Sequence, residues 1–341
     1  MKFTLRTLPI TILCVSLACA AALAQVQPSP SGPVRSRGFG LPISKMKVQT
    51  MGPASHPAQS PGSPDISLTF GMVDFPGQMD SEALSINDKG AIVGGYGTNI
   101  VGFGVSNNSF LLKGTKFTEI AYPGAAFTEA NGINYYGVIV GQHGISFSDD
   151  HGFKLVGTTY TTIDYPGATD TSASAINKSG EIVGVWGDSG GGVHGFLLSK
   201  GAFTSIDVSG ASATLAYGIN DTGEIVGWYS TTGSDSHGFL YSGGTFTTID
   251  YPGGYSQNYL SGINDKGVIV GAYGEPTTVN GVEYQWEHGF VYQSGVFTNA
   301  DAPFGPPAVT LPFQINNNGV IVGEYVDNSD TVYGYEVTVG P

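Results

Sequence analysis

The residues of this chain best suited to contact a ligand are aromatic, and they recur at one position of a repeated motif. Two residues after the glycine of each Ile-Val-Gly motif stands an aromatic or imidazole ring: Tyr96, His143, Trp186, Tyr229, Tyr273 and Tyr325. Aromatic faces stack on sugar rings, and nearby Asn, Asp and Ser side chains bind hydroxyls. The tyrosines and the tryptophan of this set are therefore candidate ligand contacts. Packing between neighbouring repeats is their alternative role.

A second group of rings follows the last predicted strand of several repeats, at Phe75, Tyr122, Tyr165 and Tyr251. We expect both groups to approach the same rim of the fold. The longest connecting segment, residues 274–287 of the fifth repeat, carries Tyr284 and Trp286. Because exposed loops often carry binding residues, this segment is the favoured place of contact with a partner.

Three other motifs carry reactive side chains but favour structural roles. Residues 187–191, Gly-Asp-Ser-Gly-Gly, resemble the nucleophile segment of trypsin-like proteases, whose chemistry also needs a His base and a second Asp on a double barrel. Four repeats have a histidine at the start of the third strand, too widely spaced to share a metal: His151, His194, His237 and His288. Five repeats end the fourth strand in an aspartate that suits a turn or, alternatively, a cation-binding ring: Asp74, Asp164, Asp207, Asp250 and Asp301. We assign no catalytic residue, metal ligand or cofactor.

The charge and the cysteine content of the chain limit which ligands it can bind and which chemistry it can perform. From residue 65 onward the chain has 27 acidic residues against seven lysines. Such a surface repels nucleic acid and anionic membranes and favours cations or neutral ligands. Both cysteines, Cys14 and Cys19, lie in the N-terminal apolar segment. The remaining chain therefore has no thiol for disulfides or catalysis.

The first 65 residues divide into an export signal and a linker. Lys2 and Arg6 precede a short apolar stretch, and Ala22-Leu23-Ala24 predicts cleavage of a signal peptide, residues 1–24, after Ala24. The apolar stretch is shorter than the roughly 20 residues of a membrane anchor. Residues 25–65 hold eight prolines among Ser, Gly and Gln, which predicts an extended or disordered linker. We expect the mature chain to be secreted, extracellular or periplasmic, without membrane insertion.

An Ile-Asn-x-x-Gly element occurs six times and defines a repeat of roughly 46 residues. Its asparagines are Asn87, Asn134, Asn177, Asn220, Asn264 and Asn316. This period is typical of β-propeller blades, and a β-solenoid is the alternative. Residues 66–341 therefore predict an all-β, six-bladed β-propeller of four-stranded antiparallel blades. The repeats lie near 81–121, 126–165, 171–208, 213–250, 258–301 and 309–340.

The two ends of this region complement each other. The last repeat stops after three predicted strands, whereas residues 67–74 form a fourth strand without a repeat of its own. We predict that this N-terminal strand completes the last blade and closes the propeller. Closure would hide the strand edges that promote aggregation.

The repeated segments His-Gly-Phe-Leu, Gly-x-Phe-Thr-x-Ile-Asp-Tyr-Pro-Gly and Gly-Ile-Asn-x-x-Gly-x-Ile-Val-Gly resemble the HAF-repeat family of extracellular bacterial proteins. The resemblance covers nearly everything after residue 66 and implies export and a repeat fold. Several copies have Gly where the family name has Ala, and Asn108 and Tyr333 replace the histidine in the first and last repeats. The resemblance implies no catalytic activity.

These features favour a secreted, non-enzymatic binding module for neutral glycans or cell-envelope surfaces. The alternative is an extracellular glycoside hydrolase or lyase that uses paired carboxylates on the same face. A structural surface or matrix protein is the third hypothesis. An enzyme should concentrate unique polar residues in one pocket, whereas a lectin-like module should repeat its contacts around the ring.

Overall fold

A computed structural model describes residues 68–97, 108–145, 150–231, 235–279, 282–302, 309–327 and 331–339. The predicted export signal and linker lie outside these residues. Twelve strands make up the first half: β1 Leu68–Met72, β2 Asp80–Ile86, β3 Ile92–Gly97, β4 Asn108–Lys113, β5 Lys116–Ile120, β6 Phe127–Ile133, β7 Ile139–Gly144, β8 Asp150–Val156, β9 Thr159–Ile163, β10 Asp170–Ile176, β11 Ile182–Gly187 and β12 Val193–Ser199. Twelve more follow: β13 Ala202–Ile206, β14 Ala213–Ile219, β15 Ile225–Ser230, β16 His237–Ser242, β17 Thr245–Thr248, β18 Gln257–Ile263, β19 Ile269–Val279, β20 Val282–Gln293, β21 Val296–Asn299, β22 Val309–Ile315, β23 Val320–Val326 and β24 Val332–Val339.

The strands are arranged antiparallel in sets of four. Four sheets have four strands each, in the orders β2-β3-β4-β5, β6-β7-β8-β9, β18-β19-β20-β21 and β1-β24-β23-β22. The fifth sheet consists of two antiparallel sets, β10 to β13 and β14 to β17, joined by a single parallel residue pair, Val193 and Ala213. The described segments contain no helix. The prediction of an all-β chain built from four-stranded antiparallel sheets is confirmed.

The first described strand pairs with the last. β1 runs antiparallel to β24, from Leu68 opposite Val339 to Met72 opposite Tyr335. The backbone N–H of Val73 extends this ladder by donating to the carbonyl oxygen of Gly334 at 2.8 Å. β1 therefore occupies the place of the fourth strand that the last repeat lacks.

One segment predicted to be a loop is a hairpin instead. β19 and β20 pair without interruption from Ile269 opposite Tyr292 to Val279 opposite Val282. Residues 274–287 therefore continue two strands, and the prediction of a loop was wrong there. The β-branched and aromatic residues of this segment explain the outcome, because they favour extended backbone.

The hydrophobic core lies between neighbouring sheets. One cluster combines Ala175 and Val183 of one set of strands with Ile225 and Phe239 of the next. The third strand of each set contributes a fully buried ring to such clusters: Phe110, Phe153, Phe196, Phe239, Phe290 and Tyr335. Each set of four strands therefore buries its apolar face against the adjacent set, so the core consists of packed layers of sheet.

The glycine of the Ile-Val-Gly motif allows a close approach of strands. A Cβ atom at Gly184 would collide with the carbonyl oxygen of Ser172 and with the ring of Phe196. The same pair of obstacles, a backbone carbonyl and a buried phenyl ring, surrounds Gly94 and Gly271. The recurrence of this glycine is therefore explained by packing.

Candidate functional site

The six asparagines of the Ile-Asn-x-x-Gly element form a closed cycle of hydrogen bonds. The side-chain amide of each donates to the backbone carbonyl oxygen of the asparagine in the next repeat, at 2.9 to 3.2 Å. Asn316 donates to Asn87 at 3.1 Å and completes the cycle. All six asparagines are buried. The cycle gathers the ends of β2, β6, β10, β14, β18 and β22 around one common space.

Each asparagine also shapes its own turn. The Oδ1 atom of Asn134 accepts hydrogen bonds from the backbone N–H groups of Tyr136 and Val138, both at 3.0 Å. Gly137 takes a φ of 80°, a conformation that glycine adopts readily. The side-chain oxygen thus stabilises the asparagine's own turn, and the side-chain nitrogen binds the backbone of the neighbouring repeat. An aspartate could perform only the first of these two tasks.

Three residues before each asparagine, the same strand carries a β-bulge. The pairing register shifts at one residue in the first strand of every set: Leu84, Asn131, Ser174, Tyr217, Ser261 and Phe313. A bulge leaves one residue unpaired and redirects its side chain. All six of these residues line one cavity between the six strands, which we call the axial cavity.

The axial cavity is small and mainly apolar. Its volume is about 70 Å³, below the roughly 300–1,000 Å³ of pockets that enclose a whole small ligand. Trp228 and Tyr259 meet edge to face in its wall, with ring centroids 5.5 Å apart. Tyr217 and Phe313 add two further rings. The cavity therefore suits the apolar face or a small substituent of a ligand.

Asn131 places an unsatisfied acceptor in this apolar wall. Its Nδ2 atom donates to the carbonyl oxygen of Ala173 at 3.2 Å. Its Oδ1 atom is buried and has no hydrogen-bond partner among the described residues. A buried acceptor without a partner costs about 1–3 kcal/mol. A hydroxyl or N–H group placed in the cavity would remove that cost.

Two residues before the bulge, the first two repeats carry buried glutamates. Glu82 and Glu129 occupy this position in β2 and β6. The side-chain amide of Gln142 donates to the carboxylate of Glu129. Burial raises the pKa of Glu129, although the hydrogen bond from Gln142 lowers it in part.

Two more buried glutamates belong to the fifth and sixth repeats. Glu287 lies opposite Gly274 in the β19–β20 hairpin, and Glu324 lies opposite Leu311, which lines the axial cavity. Burial raises the pKa of Glu287 to about 8, and the charge of Glu324 contributes to the rise. Burial and the charge of Glu129 raise the pKa of Glu324. We call Glu129, Glu287 and Glu324 the glutamate cluster, because electrostatic interactions link Glu324 to both of the others.

The predicted aromatic contacts stack in pairs between neighbouring sheets. Ring centroids lie 3.8 Å apart for Phe75 and Tyr96, 4.1 Å for Tyr165 and Trp186, and 3.9 Å for Tyr251 and Tyr273. In each pair, the turn that leaves one sheet covers the second strand of the next. Tyr96, Tyr273 and Tyr325 are buried. The structure thus gives these rings a packing role, and ligand contact through them stays a prediction.

The remaining predicted contacts are not among the residues that line the axial cavity. Tyr229 is half-buried and its hydroxyl lies 2.9 Å from Oγ1 of Thr248. Trp186 is also half-buried, and its indole Nε1 has no partner among the described residues. Tyr284 and Trp286 have described backbones in β20, opposite Thr277 and Glu275, while their side chains lie outside the description.

The recurrent histidines bind the recurrent aspartates. In four repeats, Nδ1 of the histidine lies 2.7 to 3.0 Å from an aspartate carboxylate: His151 and Asp164, His194 and Asp207, His237 and Asp250, His288 and Asp301. These contacts tie the third strand of a set to the end of its fourth strand. The predicted hydrogen-bonding role of the histidines is confirmed.

The protease-like segment is a turn. The carboxylate of Asp188 accepts hydrogen bonds from the backbone N–H groups of Gly192 and Gly190, both at 2.7 Å. These bonds hold the pKa of Asp188 below its usual value. Across the described residues, no group of three or more His, Cys, Asp or Glu side chains is arranged to hold a metal ion. The same part of the chain includes no helix long and apolar enough to cross a membrane.

No protein-family model and no curated protein sequence matches the chain. Among solved structures, the chain is similar to TolB from Acinetobacter baumannii at 10% identity and a TM-score of 0.45, over 68% of this chain and 60% of TolB. It is also similar to the fucose-specific lectin from Aleuria aurantia at 11% identity and a TM-score of 0.46, over 76% and 97% of the two chains. The chain is also similar to AofleA from Arthrobotrys oligospora at 8% identity and a TM-score of 0.46, over 83% of this chain and 95% of AofleA.

Proposed function

We propose that the chain is a secreted binding module, built as a closed six-bladed β-propeller with its ligand site in the axial cavity. Six sets of four strands, one for each repeat, support six blades. The pairing of β1 with β24 and the hydrogen bond from Asn316 to Asn87 support closure. The first contact completes the last sheet with the strand that precedes the first repeat, and the second joins the first repeat to the last.

The observation that carries the binding proposal is the unpartnered Oδ1 of Asn131 in a cavity walled by aromatic rings. A folded protein satisfies nearly all of its buried polar atoms, so an acceptor left open in a cavity favours a ligand that donates to it. Trp228 and Tyr259 provide the apolar surface beside it. A ligand with both a hydrogen-bond donor and an apolar face satisfies both features.

A neutral glycan is the ligand class that fits this combination. One face of a sugar ring is apolar and stacks on indole or phenol rings, while its hydroxyls donate to amide oxygens. The small volume of the cavity limits entry to a terminal sugar or its substituent. The excess of acidic residues disfavours nucleic acid and anionic membranes as partners.

The bulge residues differ from repeat to repeat, so the axial site is unique within the chain. Leu84, Asn131, Tyr217 and Phe313 occupy equivalent positions but offer different chemistry. We therefore propose one ligand per chain on the axis, in place of contacts repeated around a rim.

Export belongs to the same proposal. The basic residues, apolar stretch and small residues before Gln25 support removal of residues 1–24 during secretion, leaving residues 25–65 as a linker. The intact mass of protein recovered from the periplasm or medium of an expressing bacterium tests this. A mature chain that begins at Gln25 is the expected result, and an uncleaved chain contradicts it.

An enzymatic alternative is favoured by the glutamate cluster. A carboxyl group with a pKa of about 8, such as Glu287, is protonated at neutral pH and suits a general acid. In this alternative, a glycoside hydrolase or lyase would pair Glu287 with a second glutamate. Turnover of a bound glycan that is abolished by Glu287→Gln would establish it.

The test of the proposed function is a glycan array probed with residues 66–341, followed by calorimetry with the strongest binder. We expect one ligand per chain, and at least tenfold weaker binding for Trp228→Phe and Asn131→Leu. Tyr136→Ala, which alters a 66% exposed ring outside the cavity, serves as the control. Absence of binding to every glycan, or affinity unaffected by both cavity variants, contradicts the proposal.

A further inference from the structure

The glutamate cluster has no counter-charge of its own. Glu129, Glu287 and Glu324 are buried, and none of them forms an ion pair with Lys or Arg within the described part of the chain. Both carboxylate oxygens of Glu287, which is 1% exposed, are without hydrogen-bond partners there. An isolated buried carboxylate is strongly disfavoured, so it must take up a proton or meet a cation.

The cluster adjoins the axial cavity along the same strands. Glu129 precedes the cavity residue Asn131 by two positions in β6. Glu324 lies opposite the cavity residue Leu311. Burial and the charge of Glu287 raise the pKa of Tyr259, another cavity residue, above its usual range. Glu287 and Tyr259 are therefore close enough to interact electrostatically, which places part of the cluster beside the wall of the axial cavity.

A second unpartnered polar group lies at the level of the cluster. Ser172 holds the position in β10 that Glu82 and Glu129 hold in β2 and β6. It is 1% exposed, and its hydroxyl has no partner among the described residues. The Ser172 hydroxyl and the Asn131 Oδ1 atom are therefore two neutral polar groups that a ligand could satisfy.

We propose that the glutamate cluster binds the ammonium group of a ligand whose apolar face rests on Trp228 and Tyr259. This inference rests on the proposed function and narrows its ligand class to primary amines. An ammonium group carries a positive charge and three donors, which can satisfy the unpartnered carboxylate of Glu287. Aromatic rings next to the carboxylates add attraction for a cation.

An organic cation fits better than a metal ion. Neither the cluster nor any other set of described acidic and histidine side chains is arranged to hold a metal. The aromatic wall of the axial cavity also gives an inorganic ion nothing to bind, whereas it complements the carbon skeleton of an amine.

Proton release distinguishes this mode of binding from simple stacking. In the free protein, burial keeps part of the cluster protonated at neutral pH, because it raises the pKa of these carboxyl groups. A bound ammonium group stabilises the ionised carboxylates, so protons leave the protein as the amine enters. A neutral ligand with the same skeleton causes no such release.

The experiment is calorimetry on residues 66–341 at pH 6.5, where both amines are in the ammonium form, with two matched pairs, glucosamine against glucose and benzylamine against benzyl alcohol. Each titration is run in two buffers that differ in ionisation enthalpy, which measures the protons released. We expect at least one amine to bind tenfold more tightly than its neutral partner, with proton release. The pair that shows the larger preference identifies an amino sugar or an aryl amine as the source of the chemistry.

Charge removal gives the matched control. Glu287→Gln should reduce the affinity for the amine, relative to the affinity for its neutral partner, at least tenfold. Glu119→Gln removes the same charge from an exposed position in β5 and should change neither value. If Glu287→Gln does not fold, Glu324→Gln replaces it, and proton release by the unaltered protein provides an independent readout.

Each remaining outcome is decisive. Equal affinity for an amine and its neutral partner, or amine binding without proton release, overturns this inference and leaves the proposed function standing. Binding of calcium or potassium chloride in place of the amine also overturns it. Failure of all four compounds, together with an array that shows no glycan bound, defeats both proposals.

Discussion

The side-chain amide of Asn316 donates to the carbonyl oxygen of Asn87 at 3.1 Å, across 229 residues of sequence. The same contact elsewhere in the cycle joins consecutive repeats, for example Asn220 and Asn264 at 3.2 Å. The contact between first and last repeats is thus chemically the same as the others. Six identical short-range contacts of this kind require each repeat to sit beside the next in the same orientation.

Replacing Asn316 by aspartate should destabilise the fold. Asn316→Asp removes the N–H donor to Asn87, leaves a buried carbonyl unsatisfied and adds a buried charge, a loss of about 1–3 kcal/mol or more. Urea denaturation measures the free energy of unfolding. Gln78→Glu makes the same amide-to-carboxylate change at an exposed turn position outside the cycle and should have a small effect. Equal stability of the two variants would contradict a structural role for the cycle.

Removal of β1 should expose a sheet edge. A chain that starts at residue 66 keeps the β1–β24 ladder and the stacking of Phe75 on Tyr96. A chain that starts at residue 78 loses both, so we expect it to aggregate through the free edge of β24. Size-exclusion chromatography with light scattering compares the two. A monomeric, cooperatively folded shorter chain would count against β1 as the closing strand.

The stacked aromatic pairs should affect stability and not affinity. Tyr96→Ala removes a buried ring that stacks on Phe75, and the expected loss is about 3–5 kcal/mol of unfolding free energy. Ligand affinity of the remaining folded protein should not change, because Tyr96 is not part of the axial cavity. The comparison with Trp228→Phe is direct, since that variant should show the opposite pattern. Lost affinity in Tyr96→Ala would restore the rim aromatics as ligand contacts.

Stability should fall as pH rises from about 5 to about 8. The folded-state pKa of Glu287 is about 8 and that of Glu324 is also raised, both above the unfolded value of 4.5. The folded state therefore binds more protons than the unfolded state in this window, and ionisation at higher pH favours unfolding. Thermal unfolding at pH 5.5 and 8 measures the difference. Glu287→Gln should reduce it, while the exposed control Glu119→Gln should not; an unchanged slope in both would contradict the assigned cause.

Much of the fold could be predicted from the sequence because turns and closely packed strands require particular residues, and these recur in every repeat. The Ile-Asn-x-x-Gly element marks a turn and the Ile-Val-Gly motif a crowded strand, and both features recur with the period of one sheet. The hairpin at 274–287 was missed because its length suggested a loop, although its residue types favour strands.

The axial site was missed for a different reason. Six of its lining residues, among them Leu84, Asn131 and Phe313, occupy equivalent positions but do not resemble one another. Most of the predicted ligand contacts were residues that recur in each repeat. A signal was present, since the position three before each asparagine varies in size and polarity within strands otherwise rich in small residues. The bulge that turns this position toward the axis is a backbone feature without a side-chain signature.

A crystal structure of residues 66–341 soaked with the best-binding sugar or amine tests the central claim most directly. The account predicts a continuous ring of six sheets, with ligand density on Trp228 and Tyr259 and within hydrogen-bonding distance of Asn131 Oδ1. Density at the outer rim beside Tyr229 or the β19–β20 hairpin, with the axial cavity filled only by water, would contradict it. So would an open arrangement in which β1 does not pair with β24.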